Sequence, residues 1–203
     1  MRGTMNRLLV ATNNRGKMQE LRALLSDLGV ILVTPEDAGL RLSVTEDGTS
    51  YRENAQKKAT AFAAASGLIT LADDSGLEVD ALEGAPGLHS ARYLPDAGAT
   101  DADRRAFLLR NLLDKPRPWR AHFRAAVVIA MPGGETSSAE GDCPGEIISQ
   151  ERGSGGFGYD PIFLVDGTGQ TMAELSMEEK NRLSHRARAI TNARPILQHL
   201  FRA

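Results

Sequence analysis

Two adjacent carboxylates, Asp73 and Asp74, follow the apolar run 68–72, and this pattern predicts a buried strand that ends at the pair. Because successive side chains of an extended chain point to opposite faces, we expect one to face a ligand and the other to bond a neighbour. Carboxylates suit Mg²⁺, which proteins hold with one or two acids, waters and substrate phosphates. A turn before Gly76 is the alternative for these residues. Ser75, beside the pair, is predicted to contact the substrate.

A second polar segment joins an apolar run to a helical pattern. Backbone N–H groups at the start of a helix lack helical partners and the dipole is positive there, which favours phosphate binding. The alternative is an ordinary helix cap by Asn13 or Asn14. The six predicted substrate-binding residues are Thr12, Asn13, Asn14, Arg15, Gly16 and Lys17.

A third segment, 155–161, combines three glycines with two aromatic residues. Glycine lets a backbone approach a ligand closely, and an aromatic ring can stack on a nucleobase. A tight turn that buries Phe157 is the alternative. The predicted binding residues here are Phe157, Gly158, Tyr159 and Asp160.

Basic residues gather at the C-terminal end, where six Lys or Arg and no acid lie between Lys180 and the last residue. Acidic residues cluster instead at 46–47 and 73–83. Such a separation favours an anion site opposed to a metal site, although a solvated helix face is an equal alternative. Lys180, His185 and Arg186, at the start of the predicted last helix, are interpreted as a clamp for an anion or a base edge.

The total charge limits the classes of function. The 203 residues carry 24 Lys and Arg against 26 Asp and Glu, a formal net charge of −2, which disfavours bulk nucleic-acid binding. The composition is typical of a globular protein. The single Cys143 cannot form an internal disulfide, and the longest apolar run, 125–131, is too short to span a membrane. We expect a cytoplasmic protein with no membrane or nucleic-acid partner.

The elements that must position these residues alternate along the first part of the chain. The apolar run 8–12 predicts a strand, leucines at helical spacing up to Gly29 predict a helix, and 30–33 predicts a second strand. Ser50 and Glu53 match a capping box that opens a further helix. Strand–helix–strand in this order is typical of an α/β fold.

The second half of the chain mixes in antiparallel structure. The run 119–131 predicts a long strand, and Pro132-Gly133-Gly134 predicts a hairpin turn. Ser184 is expected to cap a last helix that Pro195 kinks or restarts. A mixed sheet flanked by helices fits these elements best. We interpret 1–6 as an N-terminal extension, with Met5 as an alternative start, and 7–203 as a single domain.

Taken together, these segments resemble the inosine/xanthosine triphosphate pyrophosphatase family. The similar motifs run in order through about 7–201: T-x-N-x-x-K at 12–17, E-D-G at 46–48, Y-x-E-N-A-x-x-K-A at 51–59, A-D-D-S-G-L-x-V-D-A-L at 72–82, P-G at 86–87, S-A-R-Y at 90–93, G-F-G-Y-D-P-I-F at 156–163, Lys180 and S-H-R at 184–186. Tyr51, where the family often has Phe, is a mild departure.

The resemblance implies a Mg²⁺-dependent hydrolase that converts ITP, dITP and XTP to the monophosphate and pyrophosphate, and so cleanses the nucleotide pool. It also implies a homodimer and a long curved mixed sheet flanked by helices, with two lobes and a central cleft. By the same resemblance, Asp74 is general base and metal ligand, Glu46 is the second metal ligand, and Lys17 and Lys58 are catalytic cations. Thr12 and Asn14 hold phosphate, and the residues of 157–160, 180 and 185–186 hold the base.

Selectivity has a physical basis in this hypothesis. Hypoxanthine and xanthine carry an acceptor oxygen at C6 where adenine carries an amino group, so donors in the site would be left unpaired against ATP. Three alternatives stay open. They are a related pyrophosphatase for pyrimidine or modified nucleotides, a nucleotide sensor without catalysis, and a nucleic-acid-binding module built on the basic C-terminal segment.

Overall fold

A six-stranded mixed sheet forms the framework of the computed structural model, which describes residues 6–96 and 98–201; the proposed start at Met5 lies outside them. The strands are β1 (Arg7–Val10), β2 (Ile31–Val33), β3 (Thr70–Val79), β4 (Trp119–Ala130), β5 (Thr136–Ile147) and β6 (Phe163–Val165). They lie in the order β2-β1-β3-β4-β5-β6. β1 pairs parallel with β2 and β3, and β5 pairs antiparallel with β6, so the predicted mixed sheet is confirmed.

Within the described ranges, five α-helices accompany the sheet: α1 (Arg15–Leu24), α2 (Tyr51–Ser66), α3 (Asp101–Leu112), α4 (Met177–Leu183) and α5 (His185–Phe201). α2 ends as its glycine predicts, since Gly67 adopts the left-handed conformation at φ 67°. The capping box at its start is only half formed. Ser50 accepts the Glu53 N–H, but the Glu53 carboxylate accepts from the N–H and hydroxyl of Thr49.

The structure corrects the predicted end of the strand at Asp73–Asp74. β3 continues through the pair to Val79, so the residues of the alternative turn before Gly76 lie inside the strand. Ser75 and Gly76 are turn-forming types, but pairing with neighbouring strands overrides local turn preference in the middle of a sheet. The carboxylates therefore follow the strict alternation of a strand.

The structure also corrects the C-terminal helix. Lys180 lies on the separate short helix α4, which ends at Leu183, and α5 begins with His185. α5 then continues through Pro195 to Phe201 without restarting. The hairpin turn after 131 is confirmed, because the Met131 N–H reaches the Glu135 carbonyl between β4 and β5.

The chain forms two compact units. Unit 1 contains Met1–Asp74, Ala125–Gly141 and Ala187–Ala203, and unit 2 contains Ser75–Arg124 and Asp142–Arg186. In unit 1, Leu8 and Val10 of β1 pack with α1 and α5, whereas Leu9 packs with α2, so helices cover both faces of its strands. Unit 2 has its own core, where residues of α3 such as Leu108 pack with strand residues such as Ile147.

Within the described part of the chain, none of the helices has the length and apolar character needed to cross a membrane.

Candidate active site

In unit 1, β3 separates the two carboxylates onto opposite faces. Leu71 packs in the cluster that contains α1, and Ala72 packs in the cluster that contains α2. By the two-residue period of a strand, Asp73 follows Leu71 and Asp74 follows Ala72. Asp73 is buried and pairs with Lys17 of α1 at 2.6 Å. This agrees with the expectation that one member of the pair bonds a neighbour.

Asp74 faces a second lysine and a second acid. The Lys58 Nζ of α2 lies 3.8 Å from the Asp74 carboxylate and 3.0 Å from the Glu46 carboxylate. The same ammonium also donates to the Asp73 carbonyl at 3.0 Å. The carboxylates of the two predicted metal ligands, Glu46 and Asp74, therefore both lie close to the ammonium of the predicted catalytic cation Lys58.

Burial raises the pKa of the Asp74 carboxyl above its usual value. The nearby charges of Lys58 and Lys17 oppose this rise, and the negative charge of Glu46 adds to it. A carboxylate in such surroundings binds a proton more readily than one in water, so Asp74 has the character of a base.

Asn54 is a site residue that the sequence analysis missed. It is buried on α2, donates its side-chain amide to Asp74, and accepts the Gly48 N–H at 2.8 Å. It thereby links the carboxylate of β3 to the loop that carries Glu46. A signal existed, since Asn54 stands four residues before Lys58 and so on the same helix face.

The donor set fits Mg²⁺. Because Lys58 reaches both carboxylates, the oxygens of Glu46 and Asp74 lie within about 7 Å of each other. Two carboxylates are what Mg²⁺ usually takes from a protein, with waters and substrate phosphates as its other ligands. The described residues contain no group of three or more His, Cys, Asp or Glu that could hold a metal by protein ligands alone. A metal at this pair would complete its coordination with waters or substrate oxygens.

The segment before α1 forms a helix cap. Asn14 accepts the Lys17 N–H at 3.0 Å, and the Thr12 hydroxyl accepts the Asn14 N–H at 3.2 Å. Asn13 and Arg15 are exposed, and Gly16 is half-buried. Asn14 therefore caps α1, and phosphate binding by this segment stays a prediction.

In unit 2, the predicted base-binding residues cluster around Phe157. Its ring is half-buried, with Lys180 Nζ at 5.7 Å and Arg186 Cζ at 5.8 Å from the ring centroid. Cations at such distances are attracted to an aromatic face. Lys180 also pairs with the buried Asp160 at 2.9 Å.

Three further predicted residues have defined places in unit 2, namely Ser75, His185 and Tyr159. Arg186 is buried and donates to the Ser75 hydroxyl at 2.9 Å. His185 stacks on Phe123 with ring centroids 4.8 Å apart. The Tyr159 ring lies in the core and its hydroxyl donates to the Ser90 carbonyl, so this side chain does not join the others around Phe157. Burial raises the pKa of Tyr159, which keeps the hydroxyl a donor.

Comparison with known proteins gives consistent results. The sequence model of the Ham1 family matches residues 8–196. The chain is 46% identical to the dITP/XTP pyrophosphatase of Desulforamulus reducens, over 96% of this chain and 97% of that protein. It is 48% identical to the dITP/XTP pyrophosphatase of Geobacter sulfurreducens, over 92% and 94% of the two chains. The solved structure of a HAM1 protein from Coxiella burnetii is 36% identical and superposes with a TM-score of 0.86, covering 96% of this chain and all of that one.

Proposed function

This chain belongs to the Ham1 family, and from that membership and the geometry around Asp74 we propose that it hydrolyses non-canonical purine nucleoside triphosphates to the monophosphate and pyrophosphate. The single observation that carries the proposal is the meeting of Glu46 and Asp74 at Lys58 on one face of β3. Two acids with a lysine between them suit a metal-bound polyphosphate. The substrates are the deaminated purine nucleotides ITP, dITP and XTP, in keeping with the names of the curated relatives.

In the proposed reaction, Asp74 takes a proton from the water that attacks the α-phosphorus. Lys58 is held in place by Glu46 and the Asp73 carbonyl, so its charge is fixed where negative charge develops on the phosphates. Lys17, held by Asp73, provides a second positioned cation. Positioning and electrostatics carry most of the catalysis in such phosphoryl chemistry.

Glu46 and Asp74 are the residues that would hold Mg²⁺. When bound, Mg²⁺ neutralises phosphate charge and lowers the pKa of a coordinated water. The proposal for the base is separate. Phe157 stacks on the purine, and Lys180 and Arg186 supply donors suited to an oxygen at C6. Adenine presents an amino group there, which would leave a donor unpaired.

The test is a panel of triphosphates with Mg²⁺ present or chelated, with released pyrophosphate as the readout. We expect pyrophosphate from ITP, dITP and XTP, and little from ATP or dTTP. Release of orthophosphate instead would refute attack at the α-phosphorus. A preference for dTTP would move the protein to the pyrimidine-directed alternative.

Asp74→Asn is the decisive variant. We expect it to lose ITP hydrolysis by a factor of about 10³ or more, since general base and metal ligand are lost together. The fold should persist, because Lys58 keeps its bonds to Glu46 and to the Asp73 carbonyl. Asp47→Asn is the matched control, since this exposed carboxylate in the same acidic segment pairs only with an exposed lysine in the described contacts. Near-normal turnover by Asp74→Asn would show that another residue is the base.

We also propose a homodimer and a cytoplasmic location, both on the resemblance to the family. Sedimentation of the purified protein at several concentrations tests the dimer, and a single species of about 22 kDa would refute it. Fractionation of cells followed by immunodetection tests the location.

A further inference from the structure

The loop that carries Phe157 is held by its backbone to helix α3. The Gly158 N–H donates to the Asp101 carboxylate at 2.7 Å, and the Gly158 carbonyl accepts from the Arg105 guanidinium at 2.8 Å. Asp101 and Arg105 lie one turn apart at the start of α3, more than 50 positions before the loop. Two charged side chains of α3 therefore hold the backbone of Gly158, one at its N–H and one at its carbonyl.

The other side of Phe157 is fixed in a similar way. The Phe157 N–H donates to the Asp160 carboxylate at 3.0 Å, and that carboxylate accepts from Lys180. The residue before it, Gly156, has φ 74°, and a Cβ there would overlap the Asp160 carboxylate. Successive amides at 157 and 158 are thus each bound to a carboxylate, so the backbone that aims the Phe157 ring has little freedom.

Arg105 links the loop at both its ends. Its guanidinium makes two bonds to Glu151, at 2.8 and 3.0 Å, just before the glycine-rich segment, and the third bond to Gly158 just after Phe157. Hydrogen bonds to charged groups are about twice as strong as neutral ones. Burial raises the pKa of Asp101, but hydrogen bonds from Arg104 and the Gly158 N–H outweigh burial and lower this pKa below its usual value. The Asp101 carboxylate therefore stays ionised and accepts these bonds.

We propose that Asp101 and Arg105 are positioning residues for the base, acting through the orientation of the Phe157 ring. The proposal rests on the proposed function of Phe157 as the surface on which the purine stacks. Neither residue touches the carboxylates and lysines of unit 1 in the described contacts. Their loss therefore weakens recognition of the base and leaves the chemical step intact.

The expected effect of Asp101→Ala is a rise in KM for ITP of about tenfold, with kcat within about twofold of wild type, because one charge-assisted bond to a loop amide is lost. Asp101→Asn keeps an acceptor oxygen and should restore most of the loss. The inhibition constant of inorganic triphosphate, which lacks a base, should not change. Arg105→Gln should behave like Asp101→Ala.

Asp103→Ala is the matched control. Asp103 lies in the same first turn of α3 and forms the capping box with Thr100, but bonds to no part of the loop in the described contacts. A structural effect through the helix start would raise KM in both variants. A rise confined to Asp101→Ala supports positioning of the loop, and an equal rise in Asp103→Ala overturns it.

A double-mutant cycle with Phe157→Ala decides whether Asp101 acts through the ring. Residues that act through one another are not additive, so Asp101→Ala should have no further effect on KM in the Phe157→Ala background. Fully additive effects would overturn the proposal. Failure of the proposed function is distinguishable, because wild-type protein would then release no pyrophosphate from ITP. In that case the dissociation constants of ITP for the same variants, measured by calorimetry, give the same comparison.

Discussion

Replacing Lys17 by Met should destabilise the protein strongly, because it leaves the Asp73 carboxylate buried without its 2.6 Å partner. The Asp73 side chain is 0% exposed and that of Lys17 is 15% exposed, so water cannot replace the lost ammonium. Breaking a buried pair by removing one partner costs roughly 3–5 kcal/mol. Since Lys17 retains some exposure, we expect the lower end, about 3 kcal/mol.

The measurement is thermal unfolding at neutral pH. In a protein of this size 1 kcal/mol corresponds to roughly 2–4 °C in Tm, so a fall of about 6–12 °C is expected. Lys57→Met is the matched control, since the Lys57–Asp47 pair has the same 2.6 Å separation but side chains 44% and 68% exposed. Exposed pairs contribute little, so its Tm should hardly change. Equal shifts in the two variants would refute the reasoning from burial.

A second substitution separates stability from activity. In Lys17→Met/Asp73→Asn the buried charge is gone, so most of the lost stability should return. Hydrolysis of ITP should stay low, because the cation proposed to face the phosphates is still missing. Recovery of both stability and activity would show that Lys17 is only a structural partner of Asp73.

Two further predictions concern a loop and a pH effect. Gly48→Ala should raise the Mg²⁺ concentration needed for half-maximal rate several-fold, because the new methyl would lie 2.7 Å from the Asn54 amide oxygen and displace the loop of the proposed metal ligand. Gly133→Ala, whose methyl would meet no described atom within 4 Å, is the control, and an equal Mg²⁺ requirement would contradict the idea. Hydrogen bonds from Arg152 lower the pKa of Glu174 to about 2. Because the folded pKa lies below the unfolded value, ionised Glu174 stabilises the protein above about pH 4.5, and this contribution vanishes as the pH falls towards 2. Glu174→Gln should therefore be less stable than wild type above about pH 4.5 and equally stable near pH 2, as unfolding of the two proteins at a series of pH values would show.

Local patterns in the sequence predict much of unit 1. Leucine spacing predicts the helix α1, but the predicted stop at Gly29 is wrong, because α1 already ends at Leu24 and is capped by Leu25. The apolar runs on either side predict the parallel strands β1 and β2. The alternation of a strand also predicts that Asp73 and Asp74 take different partners, which the structure bears out. These features depend on neighbours within a few residues, so the sequence displays them directly.

The features that were missed depend on distant parts of the chain. β3 continues past Asp74 because adjacent strands form hydrogen bonds with it, and the sequence near residue 75 does not indicate which strands will be adjacent. The bond from Asp101 to Gly158 joins positions 57 residues apart. Asn54 was missed for a different reason: it stands within a helix pattern, where a single buried amide resembles a surface residue that happens to be polar.

Because successive side chains of β3 point to opposite faces, Asp73 and Asp74 have different roles although their side chains are chemically identical. A partly buried cation is stabilised by a partner of opposite charge, so the pairing of Lys17 with Asp73 fixes the ammonium in place and is compatible with a role for Lys17 towards a ligand. The Asp73 side chain has no exposed surface and cannot reach a substrate, whereas 13% of the surface of the Asp74 side chain is exposed to solvent. The alternation of the strand thus makes Asp73 the structural partner of Lys17 and leaves Asp74 as the proposed general base. It follows that Asp73→Asn should chiefly affect stability and Asp74→Asn chiefly the rate of hydrolysis.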